Sequence, residues 1–188
     1  MDANSSFSDE VKTCAVRMAQ SGVAALAGLF DLTSQRLVRY AATITRNQHD
    51  AEDAVQAALV RVARQTSLFC QTQHPWAYLL RMVRNEALVI GRRKRRWSLV
   101  ANLSDLLSRR LVDEVEQEDS YRAVWSALRS LPTVQAEVVV LKIWEEMTFA
   151  QIGEILELSA HTAASRYRYA MQKLSRKLAP AVAEVFHE

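Results

Sequence analysis

Apolar residues recur every three or four positions along most of the first half of the chain. The repeat runs over residues 9–20, 24–44 and 50–64, and again from Trp76 to about Ile90. Positions three and four apart share one face of an α-helix, so each segment predicts an amphipathic helix with one buried face.

Polar residues mark where these helices begin and end. We expect Asp50 to cap the third helix and Asp53 to lie in its first turn, where a carboxylate opposes the positive end of the helix dipole. Residues 65–75 are mainly polar, with Phe69 embedded among them, and they predict a loop. Pro75 suits the first turn of the helix that follows.

The second half of the chain begins with a weaker pattern. Residues 97–118 show little periodicity and predict a linker with partial helix. Helical patterns resume over 121–130 and 133–146, on either side of Leu131-Pro132. The proline predicts two separate helices, because it cannot continue a helix without breaking it.

The C-terminal pattern predicts two helices joined by a short turn. Thr148 and Gln151 have the spacing of a capping box, which predicts a short helix over 149–156. Ser159 can cap a second, longer helix over 160–178. This arrangement is typical of a helix-turn-helix.

The composition supports an all-α fold. The chain has 188 residues, of which 49% are hydrophobic, and it contains only four Gly and three Pro. Few residues therefore interrupt helices, and the apolar content suffices for buried cores. The length corresponds to one medium domain or two small ones.

Charge is unevenly distributed, although the net charge is only +3. Residues 81–96 are rich in Arg and Lys, whereas residues 113–119 read DEVEQED, which suggests a boundary between two units. The run GRRKRRW at 91–97 is open to three interpretations: a targeting tag, a solvated linker, or the end of a helix that contacts nucleic acid. We expect that helix to end between Gly91 and Trp97.

No pattern indicates catalysis or the binding of a metal or cofactor. Cys14 and Cys70 belong to no Cys-x-x-Cys pair, and the four His lack zinc-ligand spacing. Helix capping explains two of the three carboxylates at 50–53 and no His or carboxylate elsewhere completes a site, so we expect no metal there. The polar start MDANSSFSDEV and the lack of an apolar run of about 18 residues argue against a signal peptide and membrane insertion, so we expect a cytoplasmic protein.

Two regions have the chemistry of nucleic-acid contacts. On the long C-terminal helix, Thr162, Ser165 and Arg166 lie within one turn and could reach bases or phosphates; the alternative is a helical hairpin with a solvated face. Around the loop predicted over 65–75, aromatic residues lie close to cations, a combination suited to single-stranded nucleic acid. We expect an exposed role for Trp76, whereas Phe69 could equally belong to the core.

Three segments together resemble the extracytoplasmic function (ECF) class of bacterial RNA polymerase sigma factors. They are DAEDAVQAALVRVAR at 50–64, HPWAYLLRMVRNEA at 74–87, and the helix-turn-helix region at 131–178. The resemblance covers most of the chain in the same order and implies an all-α protein without catalytic activity. The implied organisation is a sigma region 2-like domain at 8–97, a flexible linker at 98–120 and a sigma region 4-like helix-turn-helix domain at 121–180.

The resemblance also implies partners. The first domain would bind the clamp of the polymerase β′ subunit and melt the promoter at its minus-ten element. The second would read the minus-thirty-five element and lie near the β flap, and an anti-sigma factor is a common further partner in this family. The residues matched to polymerase contacts are Glu52, Asp53 and Gln56. The residues expected at promoter DNA are Phe69, His74, Trp76, Arg81, Arg84, Asn85, Arg92, Arg93, Thr162, Ser165, Arg166 and Lys173.

Some positions depart from the pattern of the family. Ala163-Ala164 replaces a frequent Val-Lys pair, which removes one cation from the reader helix. Gly91 stands where a larger apolar residue is common, at a cost of up to about 1 kcal/mol if that turn is helical. Two other functions stay open on sequence grounds: a DNA-binding regulator that never joins the polymerase, and a protein-interaction adaptor.

Overall fold

Every regular element is helical in the parts of the chain that the structure, a computed structural model, describes: residues 3–100 and 119–185. The all-α prediction is confirmed. Two compact units lie within residues 1–111 and 112–188, and no helix in the described ranges is long and apolar enough to cross a membrane. The α-helices are α1 (Ala3–Ser21), α2 (Leu26–Thr45), α3 (Gln48–Arg64), α4 (Thr66–Gln71), α5 (Pro75–Val100), α6 (Asp119–Arg129), α7 (Thr133–Ile143), α8 (Phe149–Leu156) and α9 (Ala160–Val185).

The core of the first unit is built from α2, α3 and α5. These three helices pack against one another along their apolar faces, and α1 lies against α2, α4 and α5. Its large, fully buried side chains include Leu29, Leu37, Tyr40, Leu79 and Leu80. The opposite faces of α3 and α5 are mainly polar, with Val60 and Val89 as exposed apolar side chains.

The start of α3 differs from the prediction. The capping residue is Asn47, whose side-chain oxygen accepts a hydrogen bond from the backbone N–H of Asp50 at 3.0 Å. Asn47 can do this because its backbone is extended, after Arg46 has ended α2 in a left-handed conformation. Asp50 is therefore the third residue of α3, and its carboxylate is available for another partner.

That partner is Lys94, near the far end of α5. Lys94 Nζ lies 2.6 Å from Asp50 Oδ2, and the Asp50 side chain is only 11% exposed. Lys94 lies two helical turns beyond the buried Ala87 and three beyond the buried Val83, so it extends from the side of α5 that faces the core, and its side chain is still 62% exposed. The Asp50–Lys94 pair therefore ties the last part of α5 to the start of α3.

Helix α5 continues beyond its predicted end. The boundary expected between Gly91 and Trp97 is wrong, because the helix passes through both residues and reaches Val100. One glycine does not stop it, since the flanking Arg and Lys favour helix and the Asp50–Lys94 pair holds the following turn. Most of the predicted linker, residues 101–118, lies outside the described residues.

The segment predicted as a loop contains helix α4. Phe69 on α4 is fully buried, and its ring centroid lies 6.1 Å from that of Tyr78. The neighbouring Cys70 thiol donates to the Ala15 carbonyl oxygen at 2.9 Å, and burial raises the pKa of this thiol. The burial of Phe69 favours the helix despite the polar residues around it, so its ring is not accessible to DNA in this conformation, and its role as a DNA contact stays a prediction.

Trp76 also belongs to the core, and the exposed role expected for it is wrong. Its side chain is 2% exposed. The ring of Phe7 on α1 packs edge-on against it, with 4.9 Å between centroids, and the Arg36 guanidinium lies 3.8 Å from the centroid of the Phe7 ring. Trp76 faces inward because it lies one and two turns before the buried Leu80 and Val83 on the same face of α5.

The second unit packs α6, α7 and α9 around one core. The predicted break at Leu131-Pro132 is confirmed, since α6 ends at Arg129 and α7 begins at Thr133. Trp125 and Trp144 stack beside this core with 5.9 Å between ring centroids. The buried residues of the cluster are Ala127, Leu128, Leu131, Ala136, Val139, Ala170 and Leu174.

The two helices of the predicted helix-turn-helix are both present and both capped. Thr148 and Gln151 form the predicted capping box at the start of α8. Ser159 Oγ accepts from the Thr162 backbone N–H at 3.1 Å and thereby caps α9 as predicted. These caps satisfy backbone donors at the first turn of each helix.

The turn between α8 and α9 depends on one glycine. Glu157 ends α8 in a left-handed conformation with a φ of 59°. A Cβ atom on Gly153 would lie 2.5 Å from the Leu158 carbonyl oxygen, which is part of the rigid backbone of the turn. The turn can therefore pass this close to α8 only because residue 153 has no side chain.

We expect Gly153→Ala to destabilise the second unit by about 1 to 3 kcal/mol, because the added methyl group would force backbone to move. Gly91→Ala is the matched control, since a Cβ there would meet no atom within 4 Å and the turn is helical. That substitution should stabilise the first unit by about 0.5 to 1 kcal/mol. Urea unfolding of both variants measures these changes, and destabilisation of similar size in both would contradict the close approach at Gly153.

We expect Lys94→Ala to destabilise the first unit by about 1 kcal/mol, because it leaves the nearly buried Asp50 carboxylate without its cation. The double variant with Asp50→Ala should lose less than the sum of the single changes, by about 0.5 to 1 kcal/mol. The control is Arg93→Ala, which removes an exposed neighbouring cation and should change stability by less than about 0.5 kcal/mol. Additive losses in urea unfolding would show that the ion pair contributes nothing.

Candidate nucleic-acid and polymerase interfaces

The outer face of α5 carries the first group of candidate DNA contacts. Arg81, Asn85 and Arg92 are exposed and lie on one face of the helix, opposite the buried face that includes Val83. Arg84 is partly buried at the edge of this face. The structure thus brings together the residues of α5 that the sequence proposed.

The polybasic run is divided between two faces of α5. Lys94 turns inward to Asp50, whereas Arg92, Arg95 and Arg96 lie on the same side as Arg81. The sequence prediction did not assign Arg95 and Arg96 to this face, because a helix end anywhere between Gly91 and Trp97 left the direction of their side chains open. A helical period continued through Gly91 would have identified them.

Position 93 and the segment before α5 complete this surface. Arg93 is exposed beside the outer face of α5. His74 is also exposed, and its carbonyl oxygen accepts from the Tyr78 backbone N–H at 3.0 Å, so it lies against the first turn of α5. With Phe69 and Trp76 buried, the exposed side chains between α4 and α5 are polar, and His74 is the ring among them.

The outer face of α3 carries the candidate polymerase contacts. Glu52, Asp53 and Gln56 are exposed, as expected. Gln48 Nε2 donates to Glu52 Oε1 at 2.8 Å, which holds Glu52 along the first turn of α3. On another side of α3, Arg61 pairs with Glu86 of α5 at 3.2 Å, so that charge is already used within the unit.

An apolar surface cleft lies beside Gln56, and the sequence did not predict it. Phe30 and Val60 are 48% and 45% exposed, which is high for large apolar side chains. Asp31 and Gln56 contribute polar atoms at the edge, and the remaining residues that line the cleft are Ala24, Leu26, Ala27 and Leu59. The sequence does contain a sign of this cleft: Phe30 directly follows the buried Leu29 and Val60 directly follows the buried Leu59, so each helix carries an apolar side chain just outside its buried face.

The long helix α9 carries the second group of candidate DNA contacts. Thr162, Ser165 and Arg166 lie near its N-terminal end, and all three are partly exposed. The Thr162 hydroxyl lies 2.8 Å from that of Ser159, so it is held in place without a ligand. Lys173 is exposed, and its Nζ donates to Gln135 Oε1 of α7 at 3.1 Å, which positions it two turns beyond Arg166.

A second apolar cleft lies on another side of α9. The rings of Phe149 and Tyr167 meet with 5.7 Å between centroids, and Met171 continues the apolar surface. Arg168 and Gln172 form part of the same lining. In the part of the chain that the structure describes, His, Cys, Asp and Glu form no group of three or more that could hold a metal ion.

Two family models match the chain. Sigma-70 region 2 matches residues 29–97, and Sigma-70 region 4 matches residues 121–174. The first range includes the outer faces of α3 and α5 up to Trp97, and the second includes α8 and most of α9. Both groups of candidate contacts therefore lie within matched segments.

Relatives extend the similarity over most of the chain. The ECF RNA polymerase sigma factor SigE of Mycolicibacterium smegmatis is 31% identical over 184 residues, covering 92% of this chain and 70% of that protein. The RNA polymerase sigma-E factor of Streptomyces avermitilis is 28% identical over 147 residues, covering 76% of this chain and 78% of that protein.

Solved structures share the fold. One is the sigma factor RpoE in complex with the anti-sigma factor NepR from Bartonella quintana, with a TM-score of 0.69, 21% identity, and coverage of 79% of this chain and 93% of that chain. Another is CnrH in complex with the cytosolic domain of CnrY, with a TM-score of 0.63, 23% identity, and coverage of 90% and 97%. Since both regions match in order and a relative is more than 30% identical over most of its length, the chain belongs to the ECF sigma factors of bacterial RNA polymerase.

Proposed function

We propose that this ECF sigma factor binds core RNA polymerase through its first unit and directs it to promoters that both units read. The observation that carries the proposal is the division of the first unit into two functional faces. The outer face of α5 is cationic, whereas α3 exposes Glu52, Asp53 and Gln56 beside an apolar cleft. A DNA-binding regulator that never joins the polymerase would need only the first of these faces.

The outer face of α5 would contact the minus-ten element. Arg81, Arg92, Arg95 and Arg96 supply positive charge along the helix, and Asn85 supplies donors and an acceptor for a base edge. Because Phe69 and Trp76 are buried, a flipped base would be held by backbone and polar groups around His74. The region 2-like domain that carries this function would span residues 8–97, followed by the linker at 98–120 and the region 4-like domain at 121–180.

The face of α3 would bind the clamp of the β′ subunit. A partner suited to it presents cations toward Glu52 and Asp53 and an apolar side chain toward the cleft of Phe30 and Val60. Apolar anchors at the centre of an interface contribute most of the binding free energy, while exposed charges mainly set orientation and association rate. Gln56 lies where the two kinds of surface meet.

The second unit would read the minus-thirty-five element with α9. The N-terminal part of a reader helix enters the major groove, so Thr162, Ser165 and Arg166 are placed to contact base edges or phosphates. Lys173 would contact the DNA backbone farther along the helix. The cleft of Phe149, Tyr167 and Met171 would be left exposed beside the DNA, where it suits an apolar contact with the β flap.

Two further assignments follow from the family. The factor itself would have no catalytic activity, since the polymerase supplies the chemistry of RNA synthesis, and it would act in the cytoplasm, where that enzyme transcribes. An anti-sigma protein would hold it inactive until release, as the RpoE–NepR and CnrH–CnrY complexes suggest by analogy. Such a partner would compete with the polymerase for the clefts of the two units.

The proposed function is tested by transcription from bacterial genomic templates with purified core polymerase and the full chain. We expect initiation at discrete start sites that core enzyme alone does not use. Arg166→Ala should weaken holoenzyme binding to those promoters by about 1 to 3 kcal/mol and relax one base preference if Arg166 contacts a base. Absence of promoter-dependent initiation, with stable DNA binding by the chain alone, would favour the regulator instead.

Polymerase binding is tested with variants of the α3 face. Gln56→Ala combined with Phe30→Ser should weaken binding to core polymerase at least about tenfold, because both the polar edge and the apolar anchor are lost. The control is Gln71→Ala combined with Leu68→Ser, which changes an equally exposed pair on α4. Titration of labelled variants with core enzyme measures the affinity, and equal loss in both pairs would place the polymerase contact elsewhere.

A further inference from the structure

One aromatic side chain on α9 is exposed without a structural reason in its surroundings. Tyr169 is 59% exposed, the highest value among the exposed large apolar or aromatic side chains of the described residues. Two positions earlier, Tyr167 is partly buried, packs against the core of the second unit and contacts Phe149. The two tyrosines point to different sides of the helix, so only one of them serves the fold.

Tyr169 lies within the row of candidate DNA contacts. Thr162, Arg166, Tyr169 and Lys173 are separated by four, three and four residues, so they form one stripe along α9. The next residue in the stripe, Arg176, is also exposed. An aromatic ring thus stands at the centre of a stripe whose other members are a hydroxyl and cations.

Tyr169 lies in the middle of the stripe, with candidate DNA contacts on both sides of it. Arg166 and Thr162 precede it toward the N-terminal end that enters the groove, and Lys173 and Arg176 follow toward the flanking DNA backbone. Lys173 and Arg176 can neutralise phosphates on one side of Tyr169, and Arg166, one turn away on the other side, is placed to contact base edges, so the ring of Tyr169 can reach the floor of the groove beside Arg166. The apolar feature on that floor is the 5-methyl group of thymine.

We propose that Tyr169 is a specificity-determining residue of the reader helix, and that its ring selects a pyrimidine carrying a 5-methyl group in the minus-thirty-five element. This inference rests on the proposed function. The ring makes the selection by apolar contact, and the phenol hydroxyl is secondary. Tyr169→Phe should therefore keep the base preference, whereas Tyr169→Ala should lose it.

The experiment uses holoenzyme assembled from core polymerase and the full chain, with duplex DNA carrying a randomised minus-thirty-five segment. Wild type and Tyr169→Phe should select thymine at one position, and Tyr169→Ala should bind such sites about threefold to tenfold more weakly and select all bases there. Ile143→Ala is the control, because Ile143 is an exposed apolar side chain on α7 that lies outside the stripe and outside the cleft of Phe149 and Tyr167.

Base analogues isolate the methyl group. Replacing the selected thymine by uracil should weaken wild-type binding by about the same factor as Tyr169→Ala, and should not weaken that variant further. Replacing cytosine by 5-methylcytosine at this position should restore wild-type binding in part. Additive effects of the two changes would show that Tyr169 does not contact the methyl group and would overturn the inference.

The remaining outcomes are also decisive. Equal loss on every sequence in Tyr169→Ala and in Tyr169→Phe would make Tyr169 a phosphate contact through its hydroxyl, which overturns the selection of a base. Unchanged preference in Tyr169→Ala would remove it from the interface. Failure of the wild-type holoenzyme to bind any site selectively would instead overturn the proposed function itself, independently of Tyr169.

Discussion

The packing of α5 against α2 and α3 is the constraint on which the functional surface of the first unit depends. Leu80, Val83 and Ala87 must face inward to fill the core, and this fixes the rotation of the helix about its axis. Once that rotation is fixed, Arg81 and Asn85 have to face outward. The face of α5 proposed to bind DNA is therefore a consequence of core packing over residues 75–90.

In the last part of α5, beyond the core, an electrostatic contact fixes the rotation of the helix. The helix extends past the last buried apolar residues, where hydrophobic packing can no longer hold its orientation. Lys94 binds Asp50 there, so the ion pair holds the orientation of α5 at the point where apolar packing ends. Lys94 of the polybasic run therefore has a structural role, and it keeps Arg92, Arg95 and Arg96 on the same side of α5 as Arg81.

In the second unit, a close backbone contact between the turn and α8 helps to fix the position of α9. Gly153 lets the turn approach α8, and the caps at Thr148 and Ser159 set where each helix begins. The stripe from Thr162 to Lys173 is aligned by the burial of Ala163, Ala170 and Leu174 on the adjacent side of α9, about a quarter of a turn around the helix. Both units thus place their candidate contacts by burying another side of the same helix, which is why the spacing of apolar residues was so informative.

The sequence alone determined the helical class, the capping box at Thr148, the break at Pro132 and the exposed positions Asp53 and Arg81, because these depend on local spacing and local hydrogen bonds. Only the tertiary structure decided that Phe69 and Trp76 are buried and that Lys94 pairs with Asp50. An aromatic ring or a lysine has the same local signature whether it faces solvent or a neighbouring helix. Its role is decided by what lies across from it: Phe7 of α1 for Trp76 and Asp50 of α3 for Lys94, each far away in the sequence.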